Sequence, residues 1–255
     1  MSYKDLFSLA GKVVLVVGAA GGLAEEACVG LAQFGAILAL ADIDSDGLKV
    51  LCDKLEKKQI KAWTHFVDVS DEESVKTLIK GITQEFKQLD IMIDFAGIGK
   101  PTPIDEIEVS EFQKIINVNL MGSFLLTQHS LPLMLGQGSG KIILIGSVSG
   151  HIGRKYSAHY AASKGGVHSF VRTIAVEMAE KNIQINAIAP VFTLTKLNAD
   201  ILADPEVKRS IISTIPMGRL GLPADLVGTI VFLSSKASDF MTGQTLFVDG
   251  GCTIS

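Results

Sequence analysis

Tyr160 and Lys164 stand four residues apart in a helical pattern, so both project from one face. A free phenol, with a pKa of about 10, is a poor acid or base near neutrality. A neighbouring ammonium stabilises the phenolate and is expected to bring that pKa toward the working range. Of the three tyrosines, only Tyr160 has Lys four residues later. Ser147 closes an apolar run thirteen residues before Tyr160 and can hold a substrate oxygen beside the phenol. Asn119 sits inside a long helical pattern, where Asn is locally unfavourable, and so points to a specific bond. A Tyr on a helix is ordinarily packing, and Tyr-x-x-x-Lys alone is common. The four residues together suggest proton transfer at the oxygen of an alcohol or carbonyl.

A second group lies near the N-terminus. The first apolar run ends in Gly18-Ala19-Ala20-Gly21-Gly22-Leu23-Ala24, and a helix pattern follows at once. Small residues allow a tight turn and close approach of backbone to a pyrophosphate, while the helix start offers free N–H groups and a positive dipole end. Asp42 ends the second run, twenty residues beyond Gly22. A carboxylate there can accept hydrogen bonds from both ribose hydroxyls of NAD and repels the 2′-phosphate of NADP. Its structural alternative is a helix N-terminal residue. Asp68, just past the third run, can either reach the adenine or cap the next helix.

These residues need a scaffold, and the chain alternates short apolar runs with longer amphipathic segments. Strands are predicted over 12–17, 37–41, 62–66, 91–95, 141–145, 183–188 and 245–248. Helices are predicted over 22–34, 46–58, 72–87, 110–135, 158–181 and 224–234. Strand–helix alternation implies one doubly wound parallel sheet of seven strands with helices on both faces, in a single domain spanning 1–255. Ligands of such sheets bind at the carboxyl ends of the strands, where Gly18, Asp42 and Ser147 fall. Residues 193–216 read as a long irregular loop, a candidate substrate lid.

Composition narrows the function. A net charge of −4 argues against nucleic acid, whose binders gather Lys and Arg on one face. No apolar run approaches the roughly 20 residues of a membrane span, and residues 1–10 lack a signal-peptide pattern. Cys28, Cys52 and Cys252 lack metal-ligand spacing and read as reduced thiols, so no metal is expected. A cytoplasmic location follows as the expectation.

Several segments carry a family resemblance over essentially the whole chain. They are Gly18-x-x-x-Gly22, Asp68-Val69, Ala96-Gly97, Asn117-Val118-Asn119-Leu120, Gly146-Ser147, Tyr160-Ala161-Ala162-Ser163-Lys164, Asn186-Ala187-Ile188-Ala189-Pro190 and Val248-Asp249-Gly250-Gly251. In order and spacing the sequence resembles the short-chain dehydrogenase/reductase family. The resemblance implies Asn119, Ser147, Tyr160 and Lys164 as a catalytic tetrad, with Tyr160 as general acid/base and Ser147 orienting the substrate oxygen. Lys164 would lower the Tyr160 pKa and bind the nicotinamide ribose, and Asn119 would hold a water in a proton relay. It further implies cofactor contacts from Gly18, Gly21, Gly22, Leu23, Asp68, Val69, Ala96, Gly97, Pro190 and Thr195, and a homotetramer.

The sequence departs from the family pattern at Val17 (usually Thr), Ala24 (usually Gly), Asp94-Phe95 (usually an Asn pair) and Val191 (usually Gly). These changes bear on cofactor affinity more than on chemistry. The C-terminal half most resembles gluconate 5-dehydrogenases and related sugar-acid or polyol reductases. The segment 149–159 joins Ser147 to Tyr160 and carries His151, Arg154, Lys155 and His159. Arg154 can grip a carboxylate with two parallel hydrogen bonds, or lie as an exposed loop tip or subunit contact. The expected activity is NAD-linked oxidoreduction of a secondary alcohol or ketone. The alternatives are a 3-oxoacyl thioester reductase and a catalytically weak cofactor-binding protein.

Overall fold

The seven apolar runs form one parallel sheet in the order β3-β2-β1-β4-β5-β6-β7. The strands are β1 (Val13–Val17), β2 (Ile37–Asp42), β3 (Ala62–Phe66), β4 (Ile91–Asp94), β5 (Gly140–Ile145), β6 (Ile183–Pro190) and β7 (Thr245–Val248). The structure is a computed structural model that describes residues 3–195 and 201–255.

β1 is buried along its whole length because helices cover both faces. Alternate residues face opposite layers. Leu15, Val17, Met92, Ile142 and Leu144 pack against α3 (Glu72–Phe86), α5 (Gly122–Gln137) and α6 (Ala158–Met178). Val14, Val16, Ile91, Ile93 and Ile143 pack against α1 (Ala24–Gln33), α2 (Ser45–Lys57) and α8 (Pro223–Ser234). Each fully buried side chain of this kind contributes roughly 1.5–3 kcal/mol, so the sheet is a rigid base for its carboxyl edge. A third, smaller cluster joins Val148, Val191, Leu202, Ile215, Leu220 and Cys252 beyond that edge.

Three predicted elements differ from the structure. The helix expected over 110–135 is α4 (Val109–Ile116), a π-helical turn (Asn117–Met121) and α5. The wider turn centres on Asn119, whose side chain is fully committed to neighbouring elements. Single-turn π-bulges inside helices frequently mark functional sites. The helix expected from Gly22 starts at Ala24, because residues 18–22 belong to the turn. Inside 193–216 lies a helix that the irregular reading missed, α7 (Pro205–Ser213). Asp204 caps it, accepting from Glu206 N at 2.8 Å, and Pro205 opens it. The part of the predicted lid at 196–200 lies outside the described residues. Among the described residues no helix is long and apolar enough to cross a membrane, and no group of three or more His, Cys, Asp or Glu is placed to hold a metal.

Candidate active site

The turn after β1 is built by glycine. Gly18 has φ +71°, and Gly21 N donates to Gly18 O at 3.1 Å. A Cβ on Gly18 would sit 2.5 Å from Ala96 N, so only glycine lets this turn approach the end of β4. A Cβ on Gly22 would meet the Thr195 side chain at 2.6 Å, which places Thr195 directly over the turn. Leu23 is the N-cap residue of α1 and has no side-chain acceptor. The Leu23 side chain therefore gives no cap to the first N–H groups of α1. Close-approach glycines beside a helix start fit the pyrophosphate of a dinucleotide.

Asp42 ends β2, and both carboxylate oxygens are engaged. Oδ2 accepts from Ala20 N and Oδ1 from Asp44 N, each at 2.9 Å. The N-cap of α2 is Asp44, not Asp42. Asp42 thus ties the glycine turn to the second strand and keeps lone pairs for ribose hydroxyls. Asp68 Oδ1 accepts from Ser70 N at 2.9 Å and Ser70 Oγ at 2.6 Å. Asp71, not Asp68, caps α3. Val69 turns its side chain into the core, where a Cβ on Gly122 would meet it at 2.9 Å. Any contact of Val69 with a ligand must therefore come from its backbone. Pro190 ends β6 beside Val248.

Asn119, Ser147, Tyr160 and Lys164 converge on the carboxyl ends of β4 and β5. Asn119 is wholly buried. Its Oδ1 accepts from Ile98 N at 2.8 Å, and Nδ2 donates to Ile98 O at 2.9 Å and Ser163 Oγ at 3.0 Å. Both amide hydrogens are thereby used within the protein, clamping the loop after β4 to α6. That loop covers the reacting groups. A Cβ on Gly97 would lie 3.2 Å from Lys164 Nζ, and one on Gly99 would lie 2.9 Å from the Tyr160 ring. Gly99 and Ser163 belong to this constellation, although no role was assigned to either from sequence.

Burial pushes the Tyr160 phenol above its ordinary pKa, and a hydrogen bond with the Ser147 side chain opposes that only in part. The Lys164 ammonium donates to Ile145 O at 2.7 Å. Burial pushes Lys164 itself down to about 8, opposed by the negative charge of Asp94. Asp94 is buried, accepting from Ser123 Oγ at 2.6 Å and Ala96 N at 2.9 Å. Burial raises its pKa. The departure at position 94 therefore places an acid behind the lysine. Next to Tyr160, the buried His159 ring meets Glu111 Oε1 at 3.0 Å. Thr102, Lys100 and His159 together hold Glu111 down at about 2.

Arg154 is not an exposed tip. It is partly buried, and Nη2 donates to Cys252 Sγ at 3.0 Å, while Nε is buried without a partner among the described residues. A thiol is a weak acceptor, so most of the guanidinium's bonding capacity is unused among the described residues. A cleft of about 420 Å³ lined by Val191, Ile215, Met217 and Gly250 contains none of the four converging residues.

This geometry has close counterparts. A family model described as enoyl-(acyl carrier protein) reductase matches residues 18–253. The 5-keto-D-gluconate 5-reductase of Escherichia coli (strain K12) is 35% identical over 252 residues, covering 99% of both chains. A 3-oxoacyl-[acyl-carrier-protein] reductase of Thermotoga maritima is 35% identical over 247 residues, 96% of this chain and 99% of its own. A gluconate 5-dehydrogenase from Burkholderia cenocepacia J2315, solved with NADP and tartrate, superposes with a TM-score of 0.94 at 33% identity over 98% of each chain. Sequence likeness over the full length and close superposition on solved structures lead to one assignment: the chain belongs to the short-chain dehydrogenase/reductase family and is an oxidoreductase acting on CH–OH with a nicotinamide dinucleotide.

Proposed function

We propose that this enzyme is NAD(H)-dependent and interconverts a secondary alcohol and ketone on a sugar acid or polyol such as gluconate and 5-ketogluconate. The observation that carries the reading is the convergence of Asn119, Ser147, Tyr160 and Lys164 on the same sheet edge as the glycine turn and Asp42. The nicotinamide, when bound, supplies or accepts the hydride. Tyr160 then gives or takes the proton at the substrate oxygen, and Ser147 holds that oxygen against the phenol. Lys164 adds positive charge beside the phenol and hydroxyl-binding capacity for the ribose. Asn119 fixes the loop that covers both.

Preference for NAD over NADP rests on the Asp42 carboxylate, which repels a 2′-phosphate. The sugar-acid reading rests on the under-used Arg154 guanidinium and on relatives of that description. Exposed apolar side chains, among them Val109, Met121, Phe124, Phe240 and Ile254, support assembly as a homotetramer that would cover them. A cytoplasmic location accords with the reduced-thiol reading of the cysteines. A 3-oxoacyl thioester reductase is the second reading, favoured by the equal identity to the Thermotoga maritima enzyme. A panel of sugar acids, polyols, small ketones and a 3-oxoacyl thioester, assayed with NADH and NADPH, separates the two. Turnover confined to the thioester, or to NADPH, overturns the first.

A further inference from the structure

Tyr160, Lys164 and His168 recur every four residues on one face of α6. The first two belong to the proposed chemistry; the third lies beneath it. His168 is 5% exposed. Pairing of β5 with β6 ends where Gly146 N donates to Ile188 O at 2.8 Å. The next N–H, that of Ser147, has no strand partner and donates instead to His168 Nε2 at 3.4 Å. The imidazole also fills the space beside residue 146, where a Cβ would lie 2.2 Å from Nε2. Phe247 of β7 backs the ring edge-on, with centroids 6.1 Å apart. The imidazole is thus fixed by packing on one side and directed at the Ser147 backbone on the other.

We propose that His168 is a positioning residue for Ser147: as a neutral imidazole it accepts the Ser147 N–H through Nε2 and sets the angle at which the serine hydroxyl meets Tyr160. An accepting Nε2 carries no proton, so the proton of the neutral ring resides on Nδ1. The surroundings favour that state. Lys164 and Arg172 on α6 and His151 from the loop after β5 face the ring, all cationic or able to become so. Just past β5 it meets Gly146 and Ser147, and on β7 it meets Phe247. Burial, together with these groups, pushes His168 down to about 4. The role in turnover rests on the oxidoreductase reading above; the tautomer does not.

Two measurements on the full chain test this. Nitrogen-15 NMR of the imidazoles should show His168 with an unprotonated Nε2 and a protonated Nδ1, neutral down to about pH 5. A protonated Nε2 overturns the proposal whatever the enzyme turns over. His168→Leu keeps the bulk and removes the acceptor. It should lower kcat on the order of tenfold to hundredfold, the scale of a small misplacement of a reacting group, with KM for the dinucleotide unchanged. His168→Gln restores an acceptor and should recover most of kcat. Equal losses in the two variants, or a folded His168→Leu with kcat within twofold of the parent, overturn the proposal. Should His168→Leu not fold, the tautomer and a His168→Gln variant of near-parental kcat decide for it; loss in His168→Gln decides against it. A correct tautomer in a protein without turnover refutes the oxidoreductase reading and leaves the contact standing.

Discussion

Replacing Asp42 with Ala should weaken cofactor discrimination and the glycine turn together, because one carboxylate serves both. In the structure it holds Ala20 N and Asp44 N at 2.9 Å each. The site is partly exposed, so water replaces part of what is lost, and the two bonds amount to about 1–2 kcal/mol of stability. For a chain of this size that lowers Tm by roughly 2–8 °C. The discrimination effect is larger. A unit charge within about 5 Å of a phosphate contributes roughly 1–3 kcal/mol at the effective dielectric of a protein surface. The ratio of kcat/KM for NADH over NADPH should therefore fall roughly tenfold to hundredfold in Asp42→Ala. NADPH should improve in absolute terms while NADH declines. Asp42→Asn retains one oxygen acceptor, so its Tm should fall less while its ratio still collapses. Steady-state kinetics with both dinucleotides and a thermal melt read all of these. A parent enzyme that uses NADPH as well as NADH, or an unchanged ratio in Asp42→Ala, refutes the reasoning.

Gly18→Ala must place a Cβ 2.5 Å from Ala96 N at φ +71°. The left-handed conformation alone costs about 1–2 kcal/mol and the backbone contact adds to it, so a melt should show Tm down by several degrees together with weaker dinucleotide binding; a Tm within 1 °C of the parent contradicts the close packing of this turn. Arg154→Ala should raise KM for anionic substrates by roughly tenfold to hundredfold, from the loss of a charge-assisted bond of about 1.5–3 kcal/mol, and leave neutral polyols unaffected. Equal effects on both substrate types assign Arg154 to packing against Cys252. Stability should also depend on His168. Its pKa is pushed from 6.5 to about 4 in the folded chain, so as pH falls the unfolded chain takes up the proton first. The contribution of the neutral ring is complete above pH 6.5 and is lost as pH falls toward 4, on the order of 3 kcal/mol. Denaturant melts across that range should show this slope in the parent and a shallower one in His168→Gln.

The strands were legible because each is a short apolar run between turn residues, and burial on both faces leaves little else for such a run to do. Boundaries moved by a residue or so at most strands. What sequence reasoning misplaced depends on contacts between distant elements. The π-turn exists because Asn119 bonds to Ile98 and Ser163, residues 21 and 44 positions away. The helix α7 had a local signal, Asp204-Pro205, which the polar and apolar residues around it obscured. Arg154 and His168 look alike from sequence, as polar residues near a motif. Only the fold shows one directed at Cys252 and the other at the Ser147 backbone. The ammonium effect expected on Tyr160 depends on where the Lys164 ammonium points, and spacing on a helix does not fix that.

The central claim is that Tyr160 passes a proton at the oxygen of a carbon that exchanges hydride with the nicotinamide. The most direct measurement is the turnover of Tyr160→Phe with NADH and 5-ketogluconate, followed by NADH absorbance, beside NADH affinity followed by fluorescence. The ring still packs beneath Gly99, so NADH affinity should stay within about twofold, while kcat should fall by roughly 10²- to 10⁴-fold, the usual contribution of a positioned general acid. Near-parental turnover in Tyr160→Phe would contradict the account.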